Sequence, residues 1–391
     1  MSNAVPKRLG DLINLKRGYD LPENQRREGP YPVISSAGIT GYHDDYMVEG
    51  VGVVTGRYGT LGEMYYVDGK YWPHNTALYV TTFKGNDPKY IYYLLSCLGR
   101  IRTSDKSAVP GVNRNELHEM AIPAITDRNQ QKKIAAVLSA LDTKIDCNNR
   151  INAELEAMSK MLYDYWFVQF DFPDANGKPY KSSGGKMAYN ATLKREIPSG
   201  WHDSNVLAVA DLLGGGTPTK KKPHYWGGDI PFFTPTDADG SIFKFSTTDY
   251  ITSEGLKGSS TKLFSKHTVF ITARGSVGRL VLAGVDMAMN QSCYALRAKT
   301  GTSHVFLFFL AKELIHHLHV KSSGSVFDSI VSNDIELTKL AIPKGEVIEM
   351  FAAVVEPAFE KIANNTKENQ QLAQLRDWLL PLLMNGQVTV A

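Results

Sequence analysis

Apolar and small residues recur with helical spacing over a long stretch in the middle of the chain. The stretch begins at Asp127, and Gln130 three residues later completes the pattern of a capping box, which predicts a helix start. Steps of four and three then alternate, as in a coiled coil. The positions of this first seam are Ile134, Leu138, Leu141, Ile145, Asn148, Asn152, Leu155, Ser159 and Leu162. About forty residues without Pro or Gly, at 1.5 Å each, predict a helix about 60 Å long.

A second seam repeats the first one 217 residues later. Its positions are Phe351, Val355, Ala358, Ile362, Asn365, Asn369, Leu372, Arg376 and Leu379. Both seams therefore carry Asn at the same two places, where a buried Asn would fix register at some cost in stability. The alternative is that these asparagines face solvent where the seam drifts. Pro357 and Pro381 predict that the second helix is kinked and shorter than the first, with Asn385-Gly386 as its termination signal.

The segments before each seam are also duplicated. Each half contains an apolar run that leads into a glycine turn with an arginine, then a short polar signature, then an Asn-x-x-Glu-Leu segment and an Ala-Ile-Pro segment. In the first half these segments are 51–62, 74–78, 113–117 and 121–123, and in the second they are 269–278, 290–296, 333–337 and 341–343. Similar order and spacing indicate a duplicated module, with a period far longer than that of a solenoid.

The duplication predicts an α+β protein with two similar mixed α/β domains separated by two long antiparallel helices. The predicted boundaries are 1–125 for the first domain, 126–170 for the first helix, 171–194 for a turn-rich linker, 195–343 for the second domain and 344–391 for the second helix. A rod of this length would hold two modules over separate major-groove segments of DNA, whose groove repeats about every 34 Å.

Composition narrows the class of protein. The 391 residues are 43% hydrophobic, as in ordinary globular proteins, and no run of eighteen apolar residues could span a membrane. The N-terminus lacks the apolar core of a signal peptide, and three scattered cysteines, Cys97, Cys147 and Cys293, suit a reducing compartment. We therefore expect a cytoplasmic protein. A formal net charge of +3 does not by itself indicate a polyanion partner, so such a partner must be inferred from local patches.

Motifs for catalysis are missing. The sequence has neither a P-loop nor the Asn/Asp-Pro-Pro-aromatic motif of adenine methyltransferases. Pro218 prevents the glycine-rich segment before it from opening a phosphate-binding helix. His316, His317 and His319 have no accompanying set of ligands at metal-binding spacing, so no metal site is predicted.

The duplicated turns contain residue types that read DNA. Arg57 and Arg274 lie in glycine turns, and Arg pairs bidentately with guanine; an internal salt bridge is the alternative. Asn and Gln at the polar signatures suit adenine, and a basic cluster suits phosphates. The candidate DNA-binding residues are Arg57, Tyr58, Thr60, His74, Asn75, Lys220, Lys221, Lys222, His224, Arg274, Ser276, Asn290 and Gln291.

The ordered set of motifs resembles the specificity subunits of type I restriction–modification systems. Residues 166–173 and 196–201 are similar to the segments that close the first conserved helix and open the second target-recognition domain, and 229–234 and 273–278 to strands and turns within that domain. The resemblance implies a non-catalytic subunit that binds double-stranded DNA. It also implies docking of two DNA adenine methyltransferase subunits and of motor–nuclease subunits, which would hold S-adenosylmethionine, ATP and Mg. The helix residues expected to serve docking are Ile134, Leu138, Leu141, Ile145, Asn148, Leu155, Leu162, Val355, Ile362, Asn365, Leu372 and Leu379.

Two other functions fit less of the sequence. One is a stand-alone DNA methyltransferase or nuclease with an unrecognised active site. The other is a coiled-coil scaffold that holds proteins and never touches DNA, for which reversal of Lys220, Lys221 and Lys222 to Glu would leave nucleic-acid affinity unchanged.

Overall fold

The structure is a computed structural model that describes residues 4–57, 63–98, 113–321 and 329–390. The chain forms two compact units. Unit 1 comprises Met1–Asp146 and Asn369–Ala391, and unit 2 comprises Cys147–Glu368. The two long helices contribute residues to both units, since each unit takes in one segment of either helix.

Unit 1 is built on a mixed sheet of six strands. The strands of unit 1, including two outside this sheet, are β1 (Val5–Arg8), β2 (Asn14–Arg17), β3 (Tyr31–Ser35), β4 (Gly38–His43), β5 (Val48–Gly56), β6 (Met64–Pro73), β7 (Ala77–Thr82) and β8 (Ala121–Ala124). The sheet order is β2-β7-β5-β6-β3-β4, in which only β3 and β6 run parallel, while β1 and β8 form a separate antiparallel pair. The short helices are α1 (Leu9–Leu12), α2 (Pro88–Leu98) and α3 (Arg114–Glu119).

The core of unit 1 lies between this sheet and the helices. Tyr90 and Ile91 of α2 are completely buried against Val53 and Leu78 of the sheet. Ile134 and Leu138 of the first long helix and Leu380, Leu383 and Met384 of the second belong to the same cluster. The ends of the long helices are thus part of the hydrophobic core, which is the main source of their stability.

Unit 2 repeats the plan with two sheets. Its strands are β9 (Met187–Asn190), β10 (Arg195–Pro198), β11 (His202–Ser204), β12 (Ala210–Gly214), β13 (Trp226–Phe233), β14 (Phe243–Lys244), β15 (Asp249–Ile251), β16 (Val269–Thr272), β17 (Leu280–Ala283), β18 (Ala288–Met289), β19 (Cys293–Ala298) and β20 (Leu340–Ile342). Five strands are ordered β12-β19-β16-β17-β14 and three β15-β13-β18, while β9 pairs with β10 and β11 with β20. The short helices are α5 (Ser253–Lys257), α6 (His304–Lys321) and α7 (Ser332–Leu337).

The core of unit 2 is centred on α6. Ten of its residues are buried, and a helix that is apolar on most of its faces is expected inside a domain rather than on its surface. Phe306 and Phe309 pack with Phe351 and with Tyr163, whose hydroxyl donates to Glu313 at 2.8 Å. Complete burial raises the pKa of Tyr163 well above its ordinary value, so the phenol stays protonated.

The two long helices are α4 (Arg128–Tyr163), followed by a π-helical turn (Asp164–Val168), and α8 (Gly345–Met384). Asp127 precedes α4, and its carboxylate accepts the N–H of Asn129 at 2.9 Å, as expected of an N-cap. The two helices are nearly equal in length: α8 has 40 residues, and α4 has 36, or 41 with the π-helical turn that continues it, so the expected shortening of the second helix is not observed.

Packing explains why neither proline ends α8. Pro357 is exposed and lies between the buried side chains of Val355 and Phe359, which hold the helix on both sides of it. Pro381 is followed by the buried Leu383 and Met384, and its carbonyl accepts the N–H of Asn385 at 3.0 Å. Burial of the flanking residues offsets the one backbone hydrogen bond that each proline removes. The bend at these prolines stays a prediction.

One asparagine of each seam is buried. In unit 2, Asn148 has none of its surface exposed and Asn365 has 1%. The amide of Asn148 donates to Glu368 at 2.8 Å, and that of Asn365 donates to Asn152 at 2.9 Å. These pairs run in opposite chain directions, so α4 and α8 are antiparallel there. The alternative that these two asparagines face solvent is excluded.

The segment 171–194, interpreted from sequence as a linker, is tightly packed in unit 2. Phe172 stacks between Tyr180 and Trp201, with ring centroids 4.6 and 5.4 Å away. The carboxylate of Asp171 accepts the N–H and the hydroxyl of Ser182 at 2.7 and 2.6 Å. Its Pro and Gly residues mark turns, while Phe172 and Tyr180 belong to the core or pack against it. The mixed architecture, with two units and two long helices, confirms the predicted α+β class.

Candidate nucleic-acid interface

The polar signature of unit 1 forms a tight turn between β6 and β7. The His74 Nδ1 and the Thr76 hydroxyl lie 3.0 Å apart, and the carbonyl of Thr76 accepts the N–H of Arg57 at 3.0 Å. Burial and the nearby Arg26 lower the pKa of His74, so its imidazole is neutral at pH 7. The turn therefore fixes Arg57 at the end of β5 beside the residues of the signature.

The polar signature of unit 2 forms the same turn between β18 and β19. The N–H of Ser292 donates to the Asn290 side chain at 3.0 Å, and the carbonyl of Ser292 accepts the N–H of Arg274 at 3.2 Å. Arg274 thus occupies the position that Arg57 holds in unit 1. Arg274 is exposed, and it forms no ion pair with a carboxylate of the described residues. The alternative that Arg274 serves an internal salt bridge is therefore not supported.

A glycine at the end of one strand in each unit, β2 in unit 1 and β12 in unit 2, allows the chain to lie against this turn. A Cβ on Gly18 would lie 2.2 Å from the carbonyl oxygen of His74, and one on Gly215 would lie 2.1 Å from that of Asn290. The next residue in each case, Tyr19 or Gly216, donates its N–H to the residue before the turn. Only glycine allows backbones to approach so closely. The two modules that are duplicated in the sequence therefore also share the backbone geometry around this turn.

Asn75 is held by two residues that the sequence pattern did not predict. Its side-chain amide donates to Asp20 at 2.5 Å, and its carbonyl accepts the guanidinium Nε–H of Arg17 at 3.2 Å. Both residues lie within two positions of Gly18, and the equivalence of Gly18 with Gly215 is the signal that would have located them. That equivalence is hard to see in the sequence, because the spacing between the two glycines differs from the spacing between the two turns.

Gln291 takes the position of Asn75 in unit 2. Its side-chain oxygen accepts the hydroxyl of Thr217, two residues after Gly215. Ser276 lies in the exposed turn that follows Arg274, and its carbonyl accepts the hydroxyl of Thr272. The structure therefore brings Arg274, Asn290 and Gln291 together at one end of the five-stranded sheet.

The basic cluster follows Thr217 on the same exposed segment. Lys220, Lys221, Lys222 and His224 are all exposed. The Lys222 ammonium lies 2.9 Å from the Tyr225 hydroxyl, and Lys220 lies 5.8 Å from the centre of the Trp226 ring. Aromatic neighbours restrict the lysine side chains without neutralising them. His224 is 3.9 Å from Glu254, a weak exposed contact.

Several predicted residues are not placed at this surface or are not described. Tyr58 and Thr60 lie outside the described residues. Of the seam residues, Ile134, Leu138, Asn148, Val355, Ile362 and Asn365 are buried, while Leu141, Ile145, Leu155, Leu162, Leu372 and Leu379 are partly buried. Within the described ranges no three His, Cys, Asp or Glu side chains are grouped as metal ligands, and no helix is long and apolar enough to cross a bilayer.

Comparisons with known proteins show which family the sequence matches. Residues 1–157 and 198–374 match the family model described as "Type I restriction modification DNA specificity domain". The chain is 27% identical over 312 residues to the type I restriction enzyme MjaIX specificity subunit of Methanocaldococcus jannaschii, an alignment that covers 77% of this chain and 69% of that protein. It is 23% identical over 356 residues to the HindI specificity subunit of Haemophilus influenzae, with 77% of each chain covered.

The fold has a counterpart among crystal structures. The S subunit of a type I restriction–modification system from M. genitalium superposes with a TM-score of 0.62 at 16% identity, covering 98% of this chain and 96% of that one. At this identity the likeness concerns the fold alone.

Proposed function

The chain belongs to the type I restriction–modification DNA specificity family, and we propose that it reads an asymmetric two-part DNA site, one part with each unit. As a specificity subunit it is a DNA-recognition component and not an enzyme. The observation that carries the proposal is the turn built twice, at 74–76 and 290–292, with the same backbone hydrogen bonds and different side chains. Two turns with the same backbone geometry and different side chains suit the recognition of two different half-sites.

The chemistry of each turn supports contact with base edges. Arg274 projects from an exposed glycine turn and carries the bidentate donor pair that matches guanine. Asn75 and Gln291 offer amides at equivalent positions. Lys220, Lys221, Lys222 and His224 would contact phosphates, which position a protein on DNA without reading sequence.

The long helices offer a surface for protein partners. On α4, within unit 2, Met158 and Met161 are 65% and 71% exposed; on α8, within unit 1, Leu375 and Trp378 are 43% and 63% exposed. The two pairs occupy equivalent positions of the repeat, because Leu375 lies 217 residues after Met158 and Trp378 lies 217 residues after Met161. We propose that each pair docks one DNA adenine methyltransferase subunit, while the buried seam residues hold the helices in place from inside each unit. Two equivalent pairs suit two copies of one partner.

Cofactors and location follow from these partners. We propose that S-adenosylmethionine is held by the methyltransferase subunits, and ATP and Mg by restriction subunits that join them, so that this chain needs none of its own. Binding to genomic DNA and to these subunits would place the chain in the cytoplasm.

A selection experiment tests the proposal. The purified full chain is incubated with a library of randomised duplexes, and the retained duplexes are sequenced. We expect enrichment of two short conserved blocks separated by a fixed unread spacer. Enrichment of no sequence, or of one continuous block, would contradict two-part reading. Calorimetry with S-adenosylmethionine separates this function from that of a stand-alone methyltransferase, which would bind the cofactor without a partner.

A further inference from the structure

The turns at 74–76 and 290–292, called the recognition turns from here on, carry side-chain amides at equivalent positions. The two amides differ in which of their atoms is hydrogen-bonded within the chain. Asn75 in unit 1 and Gln291 in unit 2 each follow the residue whose carbonyl is approached by Gly18 or Gly215. Each amide is contacted by a side chain from the segment after that glycine, Asp20 in unit 1 and Thr217 in unit 2. These two contacts bind opposite ends of the amide.

In unit 1 the contact uses the amide nitrogen. A carboxylate accepts hydrogen bonds and donates none, so Asp20 must face the Nδ2 of Asn75, at 2.5 Å. The Oδ1 of Asn75 therefore points away from Asp20 and accepts no hydrogen bond from the described part of the chain. Asp20 is itself exposed, and its second oxygen is a further acceptor. The surface that this pair presents is rich in acceptors.

In unit 2 the contact uses the amide oxygen. The hydroxyl of Thr217 donates to the Oε1 of Gln291, and both residues are exposed. Neither N–H group of the Gln291 amide donates to an acceptor among the residues that the structure describes, and Thr217 stands where unit 1 has the carboxylate of Asp20. The surface that this pair presents is rich in donors.

We propose that Asp20 and Thr217 are positioning residues that set opposite base preferences in the two half-sites. In the major groove, adenine and cytosine present an exocyclic amino group, while guanine and thymine present carbonyl oxygens. The Asn75 position of unit 1 selects an amino base, adenine or cytosine, and the Gln291 position of unit 2 selects a keto base, guanine or thymine. The inference rests on the proposed function, since it assigns the chemistry of bases within the two-part site.

The test compares base preferences of full-length variants in the same randomised-duplex selection. Asp20→Asn replaces one carboxylate oxygen by an amino group, so the side chain at position 20 can donate as well as accept and no longer fixes which end of the Asn75 amide faces it. We expect the amino-base preference at one position of one block to fall about tenfold, with the other block unchanged. Thr217→Val should weaken the keto-base preference in the other block alone. Glu28→Gln, which removes the same charge at another exposed position of unit 1, should alter neither block.

The outcomes are distinguishable. If the wild-type chain selects two blocks but Asp20→Asn and Thr217→Val leave every base preference intact, the inference is wrong and the proposed function stands. The same holds if the wild type selects only keto bases in the block that Asn75→Ala disturbs. If the wild type enriches no two-part site, both are overturned. Unchanged melting temperatures for the variants show that altered preferences do not come from partial unfolding.

Discussion

Two glycines set the distance between one strand of each unit, β2 in unit 1 and β12 in unit 2, and the recognition turn of that unit. Gly18 and Gly215 have ordinary backbone angles, so their requirement is one of space and not of conformation. The carbonyl oxygens of His74 and Asn290 occupy the place of their missing side chains. A methyl group at either position would push the strand away from the turn and separate Asp20 from Asn75 or Thr217 from Gln291.

We expect Gly215→Ala to lower the free energy of unfolding by about 1–3 kcal/mol, because the new Cβ would overlap the Asn290 carbonyl. It should also weaken DNA binding through the displaced turn. Gly214→Ala is the matched control, since a Cβ on Gly214 meets no atom within 4 Å. Urea unfolding and gel-shift titration measure the two effects. Equal behaviour of the two variants would contradict the close-contact argument.

Two stacked histidines give unit 2 a pH-dependent stability. The rings of His267 and His304 lie 4.0 Å apart and nearly parallel. Burial, helped by His267 and Lys266, lowers the pKa of His304 to about 4. Because its unfolded pKa is about 6.5, the unfolded chain takes up the proton first as the pH falls, and stability present above pH 6.5 is lost towards pH 4.

The expected loss from His304 between pH 7 and pH 5 is about 2 kcal/mol. His304→Gln removes the titrating group, so its free energy of unfolding should depend less on pH over this range. His316→Gln changes an exposed histidine of the same helix and should keep the wild-type dependence. Urea titrations at pH 7, 6 and 5 provide the measurement. A wild-type slope retained in His304→Gln would assign the effect to other groups.

At the scale of elements, polar contacts between α4 and α8 fix how the helices pair. Within unit 2 the buried side-chain amides of Asn148 and Asn365 donate hydrogen bonds to Glu368 and Asn152, respectively. Within unit 1, Arg376 lies 2.8 Å from Asp142, which also accepts the Tyr93 hydroxyl. A shift of one turn along the seam would bury these groups without partners, so the polar residues specify register.

Asn365→Ala leaves the Asn152 oxygen without its donor in a half-buried place. We expect it to lower the free energy of unfolding by about 1–3 kcal/mol. Asn364→Ala, at the exposed neighbouring position of the same helix, should change it by less than about 0.5 kcal/mol. Denaturant unfolding of the full chain compares the two variants. A destabilisation of the same size in both would argue against a specific role for the seam asparagine.

The exposed apolar pairs on the long helices give a prediction about stoichiometry. Trp378→Ala and Met161→Ala each remove the more exposed side chain of one pair, so each variant should bind one methyltransferase subunit where the wild type binds two. An anchor of this kind contributes about 2 kcal/mol or more, or roughly 30-fold in affinity. Calorimetry with the cognate methyltransferase subunit counts the sites. Leu263→Ala, 49% exposed and outside the long helices, should keep both.

At the scale of the whole molecule, the two units have the same turn geometry and differ in the charge of the segment beside the turn. The segment after Gly215 carries Lys220, Lys221 and Lys222 without an acidic residue until Asp229. The segment after Gly18 mixes Asp20, Glu23 and Glu28 with Arg26 and Arg27. We therefore expect unit 2 to provide most of the attraction to DNA phosphates, and both units to discriminate between bases.

Replacing Lys220, Lys221 and Lys222 by Gln should flatten the dependence of log affinity on log salt by about 0.9 for each phosphate that the variant no longer neutralises. The base preferences in the selected blocks should persist, because interactions with phosphates carry no sequence information. Lys132→Gln with Lys133→Gln, exposed on α4, is the comparison for a general decrease in positive charge. Binding titrations from low to high salt give the slopes. A slope that matches the wild type would show that these three lysines neutralise no phosphates.

The sequence by itself determined the duplication, the two long helices and the positions of the turns. These features follow from local spacing: a seam of four-and-three steps predicts a helix, and an apolar run before a glycine turn predicts a strand end. The same local information predicted Arg57, Arg274, Asn75 and Gln291 as candidates. The family match confirms the kind of protein that this order of motifs indicated.

Only the tertiary structure decided which side chains meet. Asp20 is 55 residues from Asn75, and Thr217 is 74 residues from Gln291, so no local pattern links them. The prolines of α8 misled the prediction of its length because the local cost of a proline is offset by buried neighbours that come from elsewhere in the chain. Burial of Asn148 and Asn365 was likewise undecided from sequence, since it depends on a partner helix about 217 residues away. Periodicity fixes the elements, while long-range packing fixes which of their side chains touch.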